Sequence, residues 1–156
     1  MPKVDVDSVP KRKGSGYPQP FAAPCADRIR QRLGDAGGLG DFGVNLMRLP
    51  PGGWSSQRHW HSHEDEFVYV LEGEVTLIED NGETPLRAGD CAAFPAGSTD
   101  GHHFINRSAA PARFLVIGTK APREVATYSD VDMKIEIEAG RARFAYKDGS
   151  DWTGPR

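Results

Sequence analysis

Short apolar or alternating runs, separated by turn residues, fill the chain from Phe42 to about residue 119. These runs are FGVNLMRLP, SQRHWH, EFVYVLEG, EVTLIED, CAAFP, HHFIN and RFLVIGT. Runs of this length, with Gly, Pro, Asn and Asp between them, are typical of β-strands joined by tight turns. Residues 80–83 and 95–97 predict two such turns. Because closing such strands into a barrel is the economical way to bury them, the pattern predicts an all-β domain.

The first 41 residues have a different texture and are expected to form an N-terminal arm. Residues 1–24 carry five prolines and no helical or strand period, which predicts an extended conformation. Asp27 is a candidate N-cap for a short helix over residues 28–33, and Gly34 would end that helix.

Residues 120–156 are expected to form a C-terminal extension that packs on the barrel of residues 42–119. This extension holds one alternating run, in which Met133, Ile135 and Ile137 share one face. The alternation predicts a half-exposed hairpin at the C-terminal end of the domain.

Length and composition set the broad class. The 156 residues suit one domain, and 18 glycines with 12 prolines favour many turns over long helices. The net charge of −3 comes from interspersed charges, so no field of one sign predicts nucleic-acid or membrane binding. No apolar stretch is near the length needed to span a bilayer, and the N-terminus lacks a secretory pattern, which predicts a cytoplasmic protein. Cys25 and Cys91 lie far apart in sequence and are expected to be buried free thiols.

Histidines and a glutamate provide the candidate chemistry. The five histidines fall in two groups: His59, His61 and His63, then His102 and His103. On a strand, the first two of these point to the same side. Residues 62–65 resemble a turn, so Glu66 can begin a new strand and face them, and a further imidazole would complete a three-nitrogen, one-oxygen ligand set. An HXH pair alone also fits ordinary polar residues on a solvent-facing sheet.

The spacing around these residues resembles the first motif of the cupin family, G(X)5HXH(X)4E(X)6G. Gly53, His59, His61, Glu66 and Gly73 occupy its fixed positions. A family resemblance of this kind implies a metal site rather than a chance grouping of polar residues.

The second cupin motif is resembled by GDCAAFPAGSTDGHHFIN, with Gly89, Pro95, Gly97, His102 and Asn106 at its fixed positions. Four residues separate its last glycine from the histidine, whereas the family pattern has two, so the loop beside the site is longer. The family pattern has three residues between the histidine and the asparagine, and His102, rather than His103, has this spacing to Asn106.

The resemblance implies a cupin double-stranded β-helix, or jelly-roll barrel, similar to the mannose-6-phosphate isomerase-like group of small cupins. It also implies one divalent transition metal ion, whether zinc, iron, manganese, nickel or cobalt, on His59, His61, Glu66 and His102. Gln57, Phe104 and Asn106 share the parity of these ligands and are candidates for lining the pocket. His63 and His103 are expected to be solvated turn and strand residues, and the alternative is that they act as bases near the rim of the pocket.

Function is less constrained than fold, because cupins perform many reactions. The site favours a metal-dependent isomerase, dioxygenase or lyase that acts on a small oxygenated metabolite. The alternative is a non-catalytic module that binds or senses a small molecule through the metal, and a storage role is the third hypothesis. Phe67, Tyr69 and Leu71 would face outward if Glu66 faces the metal, and since small cupins usually pair sheet against sheet, we predict a homodimer.

Overall fold

The computed structural model describes residues 3–155, in which nearly all of the regular secondary structure is β-strand. Residues 1 and 2 of the predicted arm lie outside the described residues. Within residues 3–155 the thirteen strands are β1 (Arg12–Lys13), β2 (Ile29–Arg32), β3 (Phe42–Leu49), β4 (His59–His61), β5 (Glu66–Glu72), β6 (Glu74–Glu79), β7 (Gly82–Arg87), β8 (Cys91–Phe94), β9 (His103–Ile105), β10 (Ala112–Thr119), β11 (Arg123–Tyr128), β12 (Lys134–Glu138) and β13 (Arg141–Ala145). The helical elements there are α1 (Leu33–Ala36) and two 3₁₀ helices, Val6–Ser8 and Ala23–Cys25.

The strands form two facing layers. One layer is a six-stranded sheet in the order β1-β2-β3-β10-β5-β8. The other consists of a three-stranded sheet, β7-β6-β9, and a four-stranded sheet, β13-β12-β11-β4. Antiparallel bridges between Trp54 and Ile105 and between His59 and His102 join these two smaller sheets along one seam. The predicted all-β jelly-roll architecture, with its C-terminal hairpin of β12 and β13, is confirmed.

The hydrophobic core lies between the two layers and follows the alternation of the strands. Val68 and Val70 of β5 are fully buried, whereas the intervening Phe67, Tyr69 and Leu71 are each 38–39% exposed. The core also includes residues of β3, β6, β7, β9 and β10: Met47, Leu49, Val75, Leu77, Leu86, Phe104, Ala112 and Phe114. Each large buried side chain of this kind stabilises the fold by about 1.5–3 kcal/mol, which makes the core the main source of stability.

The helix predicted over residues 28–33 is wrong. Strand β2 occupies Ile29–Arg32 and pairs with β3, and only the single turn of α1 follows it. Two helical turns are marginal without packing, whereas the strand gains a complete ladder of hydrogen bonds. The buried Gln31 side chain adds to this by donating to the backbone carbonyls of Val6 and Val9. No helix within residues 3–155 is long and apolar enough to cross a bilayer.

The N-terminal arm is held against the second layer by aromatic and backbone contacts. Tyr17 packs edge-on against Tyr128 of β11, with ring centroids 5.4 Å apart. Phe21 packs against Trp152 near the C-terminus, and its carbonyl accepts a hydrogen bond of 2.8 Å from Gln57. The arm therefore contacts both layers: β1 and β2 belong to the six-stranded sheet, whereas Tyr17 and Phe21 pack on the layer that carries the histidines.

The two cysteines differ in environment. Cys25 is fully buried, and its burial raises the pKa of the thiol. Cys91 is an exposed free thiol at the start of β8, so the prediction that both thiols are buried is wrong for this residue. Its side chain lies on the outward face of the six-stranded sheet because it pairs with the exposed Tyr69.

Candidate metal centre

Three imidazoles and one carboxylate converge between the two layers. The Nε2 atoms of His59 and His61 are 3.1 Å apart, and Nε2 of His61 lies 3.5 Å from Oε2 of Glu66. Nε2 of His102 lies 3.2 Å from the other carboxylate oxygen of Glu66. The ligand atoms of His59, His61 and Glu66 therefore all lie within 4.8 Å of one another. His102, the fourth residue that the sequence nominated, joins this group through its contact with Glu66.

Strand alternation and the turn between β4 and β5 explain this convergence. His59 and His61 are two residues apart on β4, so both point toward the six-stranded sheet. The chain then turns and enters that sheet at Glu66, the first residue of β5, which faces back across the gap. His102 is placed beside His59 by the backbone bridge between them.

The electrostatics of the centre favour metal ligation by His59 and Glu66. Burial, together with the nearby His61 and His102, lowers the pKa of His59 to about 3, so this imidazole is neutral at physiological pH. Its Nδ1 lies 2.9 Å from the Gln57 carbonyl, to which the protonated nitrogen donates, leaving the Nε2 lone pair free. Burial alone would raise the pKa of Glu66, but contacts with His102 and His61 outweigh it and lower the pKa.

Glu124 stabilises the turn between His61 and Glu66 through hydrogen bonds to its backbone. This carboxylate on β11 is 1% exposed and accepts hydrogen bonds of 2.8 Å from the backbone amides of Ser62 and His63. Its Oε1 lies 3.5 Å from Nδ1 of His61, a separation at which no hydrogen bond forms. Burial lowers the pKa of His61, but Glu66 and Glu124 outweigh that effect and raise it.

A second acidic group beside His61 is occupied by structural hydrogen bonds. Glu64 and Glu124 lie close enough to His61 to suggest another cation site. However, Glu64 accepts a hydrogen bond of 2.9 Å from the Ala121 amide, and Glu124 binds the turn amides described above. These carboxylates are therefore part of the scaffold of the centre.

His102 is oriented by aromatic stacking. Its ring lies parallel to that of Phe94 on β8, with centroids 3.5 Å apart and an interplanar angle of 6°. The ring is 2% exposed, and its Nδ1 is buried without a hydrogen-bond partner. Since no hydrogen bond to Nδ1 fixes the ring, the stacking is what directs Nε2 toward Glu66.

The two remaining histidines point away from the centre. His103 is 2% exposed, lies 2.9 Å through Nδ1 from the Ser56 carbonyl, and packs edge-on against Trp54. The expectation that it is solvated is wrong, because it faces the opposite side of β9 from the cavity and packs beneath residues 54–56. His63 is exposed, with Nδ1 2.6 Å from the Ser62 hydroxyl.

A cavity of about 220 Å³ opens next to the four converging residues. Phe104 lines it, as the sequence indicated, together with Tyr17, Asn45 and Ser56. Gln57 and Asn106, also candidates for lining the pocket, form hydrogen bonds to the backbone instead. Gln57 donates to the Phe21 carbonyl, and Asn106 donates to the carbonyls of Leu49 and Ala110. A larger, mainly apolar recess on the other side of Glu66, about 470 Å³ and lined by Phe67, Phe94 and Pro95, lies farther from the histidines.

The donor set fits a divalent transition metal ion. Donor atoms about 2.1 Å from one ion lie about 3.0 Å apart at right angles and about 3.4 Å apart in a tetrahedron. The separations between His59 and His61 and between His61 and Glu66, 3.1 and 3.5 Å, are close to these values, and His102 lies 3.2 Å from Glu66. Imidazole nitrogens with one carboxylate are ligands for Zn, Fe, Ni, Co or Mn. Sequence reasoning missed Glu124, Tyr17 and Phe94. Of these, only Phe94 carried a signal, its position next to Pro95 of the second motif.

An all-β jelly-roll domain with a histidine-rich cavity is the class that this geometry defines. The family model for the cupin domain matches residues 45–118. The polyketide synthase CurC of Streptomyces cyaneus is 30% identical over 131 residues, covering 83% of this chain and 77% of CurC. The chain belongs to the cupin superfamily.

Solved structures extend this likeness over nearly the whole chain. A protein of Silicibacter pomeroyi described as a sugar phosphate isomerase of the cupin superfamily is 55% identical, with a TM-score of 0.94 and 97% of each chain covered. A putative sugar phosphate isomerase of Acidithiobacillus ferrooxidans is 32% identical, with a TM-score of 0.73, covering 79% of this chain and 78% of its own. The first of these likenesses includes the arm and the C-terminal hairpin as well as the cupin motifs.

Proposed function

We propose that the protein is a metal-dependent isomerase that holds one divalent transition metal ion on His59, His61, Glu66 and His102. The observation that carries the proposal is the grouping of His59, His61 and Glu66 beside a cavity of about 220 Å³, with His102 in contact with the same carboxylate. The likeness to the Silicibacter pomeroyi protein described as a sugar phosphate isomerase favours isomerisation over the other cupin reactions.

The roles of the chain's own groups follow from their surroundings. A bound ion would act as a Lewis acid toward a substrate hydroxyl or carbonyl. Glu66 and the imidazoles hold it at the cavity wall, and Gln57 keeps His59 in the ligating tautomer. Burial raises the pKa of Tyr17, which lines the cavity, so its phenol is protonated and can donate a hydrogen bond to a substrate oxygen.

Metal content is the first test. Protein purified without an affinity tag is analysed for bound elements, alongside a His59→Ala, His61→Ala double variant and a His63→Ala control. We expect about one transition metal ion per chain in wild type and in the control, and almost none in the double variant. Absence of stoichiometric metal from wild type, even after reconstitution, would overturn the metal proposal.

Turnover is tested with the metal-loaded protein. Isomerisation of an aldose phosphate to a ketose phosphate moves a proton between adjacent carbons, so reaction in D₂O is followed by ¹H NMR for loss of the C2 proton signal. Deuterium incorporation that requires His59 and His61 would support an isomerase. Binding of the sugar phosphates without exchange or product would contradict it and favour the non-catalytic binding module.

We also propose that the protein is a homodimer formed through the outward face of the six-stranded sheet. Phe67, Tyr69 and Leu71 are each more than a third exposed there, and the exposed Cys91 pairs with Tyr69. Contiguous exposed apolar side chains of this kind mark interaction surfaces.

The state of assembly is measured by sedimentation equilibrium on wild type and on a Tyr69→Lys variant. We expect a wild-type dimer in which Cys91 reacts slowly with a thiol reagent, and a monomeric variant in which it reacts quickly. Cys25 should remain unreactive in both because it is fully buried. A wild-type monomer with a rapidly labelled Cys91 would contradict the dimer.

A further inference from the structure

Arg30 occupies an unusual position on the inward face of the six-stranded sheet. It pairs with Met47 of β3, and the same row continues through Phe114 of β10 to Val70 of β5. These three neighbours belong to the hydrophobic core and are at most 4% exposed. On its other side Arg30 pairs with Arg12 of β1, and its side chain is half-buried. A guanidinium partly withdrawn from water in this way is stabilised by an anion that pairs with it.

Two carboxylates, Asp35 and Glu64, line a recess beside Arg30, but both are engaged elsewhere. Asp35 pairs with Arg32 and Lys120, and Glu64 accepts a hydrogen bond from the Ala121 amide. Within residues 3–155, no carboxylate forms an ion pair with Arg30 and no hydrogen bond involves its side chain. By contrast, Arg32 pairs with Asp35, and Arg28 donates to the carbonyls of Gly14 and Ser55. Burial lowers the pKa of Arg30, and the cations of Arg32, Arg28 and Arg12 lower it further.

Arg30 borders the cavity of the candidate metal centre. Arg28 and Arg30 line one side of it, whereas His59 and Glu66 line the side of the converging ligands. Two guanidinium charges and a divalent ion against a single carboxylate would leave the cavity positive. A small ligand with an anionic group would restore the charge balance and satisfy the donors of Arg30.

We propose that Arg30, with Arg28 beside it, forms an anion-binding subsite of this cavity, and that the ligand carries a carboxylate or phosphate group. The inference deepens the proposed function by assigning a chemical class to the substrate, although the subsite itself does not depend on the metal. Because β2 precedes the region matched by the cupin domain model, this part of substrate recognition would be supplied by the N-terminal arm.

The test uses three probes with one carbon skeleton: glycerol 3-phosphate, glycerate and glycerol. Binding is measured by calorimetry to the zinc-loaded protein and to the EDTA-treated protein. We expect at least one anionic probe to bind, glycerol to bind far more weakly, and Arg30→Gln to weaken anion binding about tenfold or more. The anion affinity of Arg30→Lys should lie between those of wild type and Arg30→Gln, because lysine keeps the charge but lacks the planar arrangement of donors.

Arg32→Gln is the matched control, since it removes a neighbouring cation on the same strand that already pairs with Asp35. It should change anion affinity less than about twofold, since an exposed and paired charge contributes little at this distance. Thermal unfolding establishes that each variant is folded. The anionic probe that depends on Arg30 identifies the ligand group as phosphate or carboxylate.

Equal binding of glycerol and both anions, or full anion affinity in a folded Arg30→Gln variant, would overturn the subsite. If wild type binds no metal but still binds anions through Arg30, the subsite stands and the metal proposal fails. If metal loads normally but anion affinity is unchanged in Arg30→Gln, the metal proposal stands and the subsite fails.

Discussion

His59 and His102 are antiparallel neighbours that exchange both of their backbone hydrogen bonds. The His59 amide donates to the His102 carbonyl at 3.1 Å, and the His102 amide donates back at 2.9 Å. Their rings lie on the same side of this bridge, with centroids 5.1 Å apart. Since the same bridge joins the two smaller sheets, the arrangement of two candidate ligands is part of the fold itself.

This pairing separates the roles of the adjacent histidines 102 and 103. We expect His102→Ala to lower metal affinity more than about a hundredfold, because a ligand is lost, and His103→Ala to lower it less than about tenfold. His103 is buried against Ser56 and Trp54, so its replacement should mainly lower thermal stability. Competition with a chromophoric chelator measures both affinities. Equal losses in the two variants would show that His102 is not the fourth ligand.

Glu124 provides a test of the support beneath the ligands. Glu124→Gln replaces one acceptor oxygen by an amide that faces a backbone N–H of Ser62 or His63. We expect the free energy of unfolding of the metal-free protein to fall by about 2 kcal/mol, because a buried donor loses its acceptor. Metal affinity should fall as well, since the carboxylate lies against His61.

Urea unfolding of the EDTA-treated protein measures the first effect. Glu83→Gln is the matched control, because Glu83 forms only an exposed ion pair with Arg107, and its replacement should change stability by less than about 1 kcal/mol. Similar losses in the two variants would mean that the turn does not depend on the buried carboxylate.

Much of the site was predictable because its determinants are local. Two positions on one strand share a side, so the spacing of His59 and His61 is enough to make them converge, and the turn-like residues before Glu66 allow it to face them. The spacing to Asn106 selected His102 over His103 from a similarly local pattern, and the structure places His102 3.2 Å from Glu66. Strand alternation also predicted which side chains of β5 are exposed.

Contacts between distant segments were not predictable in the same way. Glu124 reaches the site only because β11 pairs with β4, and no pattern near residue 124 records that pairing. Strand β2 formed where a helix was expected, because its partner β3 supplies hydrogen bonds that local propensity does not include. The same pairing places Arg30 on the inward face, a position that the charge pattern of the arm did not indicate.

Two motif glycines should differ in their tolerance of a side chain. Gly73 has φ of 75°, and a Cβ there would lie 2.8 Å from the Pro111 carbonyl oxygen. Gly89 has φ of 97°, but a Cβ there would meet no atom within 4 Å. We expect Gly73→Ala to lower the free energy of unfolding by about 3 kcal/mol or more, and Gly89→Ala by about 1 kcal/mol.

Urea unfolding under identical conditions measures the free energy of unfolding of the two variants. The comparison isolates the steric contact, because both positions share the strain of a positive φ. A Gly73→Ala variant as stable as Gly89→Ala would show that the loop before Ala112 can move away at little cost.

The ion pair between Arg58 and Asp130 should make part of the stability depend on pH. Arg58 donates to both carboxylate oxygens of Asp130, at 3.0 and 2.7 Å, and this lowers the pKa of Asp130 below its ordinary value of 3.8. A group whose pKa is lowered on folding contributes stability above its unfolded pKa and loses it as the pH falls through the folded pKa. Asp130→Asn should therefore lower the free energy of unfolding at pH 7 by less than about 1 kcal/mol, since the carboxylate is 57% exposed.

The difference between wild type and Asp130→Asn should shrink as the pH falls below the ordinary aspartate value of 3.8, because the wild-type carboxylate becomes protonated only at lower pH. Urea unfolding of EDTA-treated proteins across this range measures it, and an Arg58→Met background serves as the control. In that background Asp130→Asn should have almost no effect at any pH, because the partner that lowers the pKa is absent. A difference that stays constant from pH 7 to pH 2, or that survives the loss of Arg58, would rule out this ion pair as its cause.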